Sequence, residues 1–133
     1  MTLLNTSLNE VVSLVALLGN MNMDTYPVIE GNKVESNAVL EVNGKVIELN
    51  TKLIRNVDNG YVLGTMPLAY RKIILSMNRH RGQLFSVRQL KNIGWESEKV
   101  TNSSVIVAIS EIRSILGDGL ILTITGEGYV FQP

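Results

Sequence analysis

Cysteine is absent from the 133 residues. That removes disulfides, thiolate metal sites and cysteine nucleophiles, and it leaves a reducing cytoplasm as the expected compartment. Histidine occurs once, at His80, so a histidine metal site or a histidine-based triad lacks its partners and His80 reads as a surface residue. The carboxylates are scattered, with no paired motif. Gly126-Glu127-Gly128 lies between two strand-like segments, with no helix N-terminus after it to hold an anion, so it is not a phosphate loop. No enzyme activity, metal or cofactor is expected. Long apolar runs are also missing: the richest, Val11 to Leu18, is far short of the roughly 20 residues that span a bilayer. No lysine or arginine precedes Lys33, so the N-terminus lacks the positive flank of a secretory signal.

Net charge is zero, which gives no global attraction to nucleic acid or membrane. Its distribution is uneven. Residues 1–37 hold Lys33 against Glu10, Asp24, Glu30 and Glu35, so the remainder is net basic. Between Asp58 and Glu96 there is no acidic residue, whereas Arg71, Lys72, Arg79, Arg81, Arg88 and Lys91 fall there. A neutral chain can therefore carry a basic face.

What is present is 45% apolar residues, enough for one core, and the pattern divides the chain in two. Leu4, Leu8, Val11, Val15 and Leu18 recur at helical spacing and predict a helix from about Leu8 to Leu18, ended by Gly19-Asn20. Val12, Leu14 and Leu17 lie off the stripe, so this helix needs cover on more than one side, either from its own domain or from a second copy. Met21 to Asn37 reads as a connector. Residues 1–37 thus form an N-terminal element, with dimerisation as its functional reading, and 38–133 form the domain proper.

From Ala38 the period becomes two. Val39 to Val42 and Lys45 to Leu49 flank Asn43-Gly44, a strong two-residue hairpin signal. Lys52 to Arg55 and Tyr61 to Leu63 repeat the scheme across Asp58-Asn59-Gly60. Helical spacing follows. Pro67 suits a first turn, with Leu68, Ile73, Ile74 and Met77 as the apolar face. Ser86 caps Val87 to Ile93, with Trp95 packing just after. Thr101, Asn102 or Ser103 caps a third helix with Val105, Ile109, Ile112 and Leu116 inward and Gly117 at its end. Leu120 to Ile124 and Tyr129 to Phe131 make a final hairpin. The fold class is α+β: a four-stranded antiparallel sheet, three helices and a β-hairpin, preceded by an extra N-terminal helix.

A helix, turn, helix and hairpin in that order suits double-stranded DNA. A helix opening with small polar residues can reach base edges in the major groove, while basic residues on earlier helices, Arg71 among them, neutralise phosphates.

On these motifs the segment from about residue 38 to 133 resembles the winged helix-turn-helix DNA-binding domain of OmpR/PhoB-type response regulators, closer to the CadC/ToxR-like branch. Ser86-Val87-Arg88-Gln89-Leu90 with Trp95, Val100-Thr101-Asn102-Ser103-Ser104, Val107 to Arg113 with Leu116, Ile121 to Ile124 and Gly128 to Phe131 carry the resemblance. It implies a recognition helix from about 102 to 116, with Asn102, Ser103, Ser104, Ile106, Val107, Ser110 and Arg113 toward DNA. It places Arg88 at a backbone contact, and Thr123 and Thr125 on the wing. Glu111 stands where the response-regulator branch often has a base-contacting arginine, and Thr125 and Glu127 replace a basic wing tip. One copy is therefore expected to bind DNA weakly, and a homodimer through the N-terminal helix would compensate.

The expectation is a sequence-specific transcription regulator, cytoplasmic, or membrane-tethered if a segment follows Pro133. Thirty-seven residues are too few for a receiver domain, so control by phosphorylation through one is not expected. The alternative is a protein-interaction module that meets RNA polymerase or a partner regulator through Ile106, Val107, Ile115 and the acidic wing.

Overall fold

The computed structural model describes residues 38–132. The expected helix over Leu8 to Leu18, the connector and Pro133 lie outside the described residues.

The period-two segment forms an antiparallel meander, β1 (Val39–Val42), β2 (Lys45–Glu48), β3 (Leu53–Asn56) and β4 (Val62–Thr65), in the order β1-β2-β3-β4. Alternation turns Leu40, Ile47 and Ile54 into the core at 1–3% exposure, with Leu40 directly opposite Ile47. Asn43 and Gly44 adopt φ of 51° and 79°, the left-handed pair that a tight hairpin between right-twisted strands requires. The next turn is organised by Asn56, whose Oδ1 accepts from the backbone N–H groups of Asp58 at 2.8 Å and Asn59 at 3.2 Å, a side-chain substitute for a backbone turn.

Three helices follow among the described residues. In α1 (Leu68–Arg79) the core side is Ile73, Ile74, Leu75 and Met77. Leu68, expected on that face, is 48% exposed; at 100° per residue it stands opposite Met77, and Ala69, Tyr70 and Arg71 are the half-buried members of the first turn. In α2 (Val87–Trp95), Ser86 Oγ accepts from Gln89 N–H at 3.1 Å while Gln89 Oε1 accepts from Ser86 N–H at 2.8 Å. Two otherwise orphaned donors are thus satisfied reciprocally. Trp95 is the last residue of this helix, half-buried against the core, rather than a residue beyond it. The helix α3 (Asn102–Leu116) is capped by Thr101, whose Oγ1 accepts from Ser104 N–H at 3.1 Å. Val105, Ala108, Ile109, Ile112 and Leu116 are 0–1% exposed, and each large aliphatic among them contributes roughly 1.5–3 kcal/mol of burial.

The closing hairpin, β6 (Ile121–Ile124) and β7 (Gly128–Phe131), gains a third strand that sequence patterning does not predict. β5 (Leu84–Phe85) pairs with β7, placing Leu84 opposite Val130 and Phe85 opposite Tyr129, in the order β5-β7-β6. Two residues are too few for periodicity to register. The trace left in the sequence is Gly128: a Cβ there would lie 2.0 Å from the Phe85 carbonyl oxygen, at a φ of 148°. Only glycine permits that approach. Tyr129 and Phe131 are buried and anchor the hairpin as expected.

Two polar side chains lock these layers together. Arg71 donates from Nε to the Met66 carbonyl at 3.0 Å and from Nη1 to the Leu49 carbonyl, joining the meander to α1. Asn43 donates from Nδ2 to the Leu116 carbonyl, so the first hairpin turn also satisfies an orphan acceptor at the end of α3.

Candidate nucleic-acid interface

Opposite its buried stripe, α3 presents Ser103, Ile106, Val107, Ser110 and Glu111 as exposed residues, and Asn102, on the side of the buried Ile109 seven positions on, is exposed as the first residue of the helix. Ile106 is 55% and Val107 47% exposed. Helical geometry sets Ser103 and Ser110 along the middle of this face, with Ile106 toward the hairpin and Val107 toward α1. Ser104, expected on the same face, is half-buried and its hydroxyl lies 3.1 Å from Thr101 Oγ1; it belongs to the helix start.

The two flanks differ. On the α1 flank, Tyr70 and Trp95 line a shallow groove of about 490 Å³ with Ser103 and Val107. Burial, reinforced by the adjacent Glu111 carboxylate, pushes the Tyr70 hydroxyl above the usual phenol range. Glu111 itself is exposed on this flank. On the wing flank, Arg113 donates from Nε and Nη2 to the Ile121 carbonyl at 3.0 and 2.6 Å and from Nη2 to Thr123 Oγ1 at 2.8 Å. Its guanidinium also lies 5.9 Å from the Tyr129 ring centroid, within cation–π range. The fork that a guanine contact would use is closed over the hairpin backbone.

A second cleft, of about 440 Å³, runs between the first turn of α2 and the hairpin, with Arg88, Thr123, Ile124 and Glu127 on its walls. Arg88 projects here, 76% exposed, and donates from Nε to Glu98 Oε2 at 2.9 Å. That contact, with a further one from Asn92, holds the Glu98 carboxyl below its ordinary range. An exposed pair of this kind contributes little and opens readily. Thr125 is exposed at the hairpin turn beside Glu127.

The eleven residues expected at the interface therefore separate. Ser103, Ile106, Val107 and Ser110 share one exposed face of α3, Asn102 is exposed as its first residue, and Ser104 belongs to the helix start. Arg88, Thr123 and Thr125 border the α2–hairpin cleft or the turn. Arg113 bridges the two as an internal clamp. Arg71 stands apart from them at the junction of meander and α1, because its half-buried donors are taken by carbonyls that would otherwise lack partners. Burial lowers its affinity for the proton. Sequence reasoning missed Tyr70, Trp95 and Ile124 at the margins of the face, where nothing in local spacing marks them. His80, read as a surface residue, is half-buried with its ring 6.2 Å from that of Phe85, and burial with neighbouring Arg79 lowers its pKa. Among the described residues no group of three or more His, Asp or Glu could hold a metal ion, and no helix is long and apolar enough to cross a membrane.

A helix-turn-helix whose second helix stands clear of the core beside a β-hairpin defines the winged helix-turn-helix class. Residues 69–131 match the family described as transcriptional regulatory protein, C terminal, and the fold of this segment is that of winged helix-turn-helix domains of the OmpR/PhoB type. The structure is similar to the DNA-binding domain of Escherichia coli CadC, at 25% identity over 74% of this chain and 94% of that one, with a TM-score of 0.59. The DNA-binding domain of E. coli CpxR matches at 21% identity over 70% and 94% of the respective chains, TM-score 0.55. The Klebsiella pneumoniae RstA DNA-binding domain, solved in complex with the RstA box, matches at 22% identity over 71% and 97%, TM-score 0.55. No curated protein is detectably similar in sequence.

Proposed function

We propose that this chain is a sequence-specific regulator of transcription that sets the exposed face of α3 into the major groove of double-stranded DNA. The observation that carries the reading is that face itself: Ser103, Ile106, Val107 and Ser110 are held outward by a fully buried opposite stripe, with Asn102 exposed at the head of the helix. Side chains on such a rigid helix meet base edges in a fixed register. Arg88 leaves its exposed pair with Glu98 for a phosphate, positioning the domain without reading sequence. Arg113 acts one step back, fixing the angle between α3 and the wing. The carboxylate of Glu127 beside Thr125 makes the wing tip a poor grip on the minor groove, so one copy binds weakly. A second copy joined through the apolar repeat Leu4, Leu8, Val11, Val15 and Leu18 raises the effective concentration; Val11→Asp should then shift the chain to half its mass in sedimentation.

Binding to a selected duplex tests the function. With two or three phosphate contacts, affinity should fall roughly 10- to 50-fold between 50 and 200 mM salt. Joint replacement of Asn102, Ile106 and Val107 by alanine should abolish discrimination between that duplex and random DNA. Unchanged discrimination would reject the groove placement.

A second reading is favoured by one observation: the same face is apolar at Ile106 and Val107 and is flanked by Glu111 and Glu127, a chemistry that suits a basic, apolar protein surface such as one on RNA polymerase or a partner regulator. It predicts no DNA affinity up to high micromolar concentration, together with saturable binding to that protein.

A further inference from the structure

The chemistry of the α3 face narrows the sequences it can read, on the premise that α3 occupies the major groove as proposed above. Guanine is recognised there chiefly by arginine or lysine donating to O6 and N7, and cytosine by a carboxylate accepting from N4. Along α3 the one basic residue is Arg113 and the one acidic residue is Glu111. The Nε and Nη2 donors of Arg113 are closed over the Ile121 carbonyl and Thr123. Glu111, eight residues after Ser103, stands about 80° round the helix from it, on the α1 flank. The tools for reading a G·C pair are thus either missing from the helix or turned to its flanks.

What remains is of another kind. Ile106 and Val107 present branched aliphatic groups at 55% and 47% exposure, one on each side of the Ser103–Ser110 line. In water these are unfavourable surfaces, and the group in the major groove that matches them is the thymine C5 methyl. Asn102, exposed in the first turn, carries the paired donor and acceptor that fit adenine N6 and N7. Serine hydroxyls discriminate little, since they donate and accept equally well. We infer that α3 selects A·T base pairs, with Ile106 and Val107 packed on thymine methyl groups and Asn102 on an adenine, so the operator half-site carries its sequence information in A·T steps read from the major groove.

Uracil substitution isolates this claim, because it deletes the C5 methyl and leaves base pairing intact. The full chain would first select duplexes from a random pool, and the tightest would be resynthesised with each thymine in turn replaced by uracil. At least two thymines of a half-site should each lose about fourfold in affinity, the equivalent of one buried methyl. In Ile106→Ala or Val107→Ala one of those losses should vanish while binding to the uracil duplex stays the same. Replacement of guanines by 7-deazaguanine should change nothing. Equal affinity for thymine and uracil duplexes, or sites governed by 7-deazaguanine, would overturn the assignment while leaving DNA binding in place. Failure to select any sequence would remove the groove placement and this assignment together.

Discussion

The two sides of α3 carry similar side chains to opposite ends. Ile109 is 1% exposed and Ile106, three residues earlier, is 55% exposed; both are isoleucines on one rigid helix. The first is surrounded by core and contributes to folding, while the second touches little within the domain and is available to a partner. The difference teaches that apolarity alone does not mark the core of this helix. Its angular position does, and on the outer side Ile106 and Val107 stand next to each other as one apolar patch.

Substitutions on the two sides should separate stability from binding. The largest effect is expected from Ile109→Ala, which opens a cavity and should cost about 2–5 kcal/mol in chemical denaturation. Arg113→Ala releases the clamp between the faces and leaves the Ile121 carbonyl without its charged donors. A loss of about 1–3 kcal/mol is expected, together with weaker DNA binding, because the wing loses its fixed angle to α3. Thr101→Ala removes the cap at the head of the helix for about 1 kcal/mol. Ile106→Ala should leave unfolding within about 0.5 kcal/mol of the parent while reducing affinity for a selected duplex about fourfold. A stability loss as large as that of Ile109→Ala would erase the distinction between the sides.

The smallest effect concerns the α1 flank. The raised pKa of Tyr70 means that the folded chain keeps its phenol proton longer than the unfolded chain does. The stabilisation is complete below about pH 10, the ordinary phenol value, and is lost as pH rises through the folded value. Tyr70→Phe should flatten that alkaline decline in thermal unfolding, and Glu111→Gln should make it smaller and end it at lower pH, because the carboxylate that helps to raise the phenol pKa is gone.

Much of this architecture was legible because it rests on local rules. Asn43-Gly44 set the first hairpin, Ser86 the start of α2, and the Val105, Ile109, Ile112 and Leu116 spacing the inner side of α3. What escaped depends on distant partners. β5 is too short to show a period and exists because β7 offers it Gly128. Arg71 and Arg113 look like surface cations in sequence, yet each sits beside backbone carbonyls supplied by another element, and those carbonyls decide its role. Asn43 reads as a turn residue, and its bond to the Leu116 carbonyl, 73 positions away, follows only from the fold. The exposed face of α3 was anticipated in position, while the closing of Arg113 over the Ile121 carbonyl and Thr123 at its flank was not.

Mapping backbone amide shifts of the full chain by NMR as a selected duplex is added tests most directly which surface meets DNA. Perturbations centred on residues 102–110, with a second group at Arg88 and the hairpin turn near Thr125, are predicted. Shifts confined to the β1–β4 meander, or none at saturating duplex, would contradict the placement of α3 in the groove.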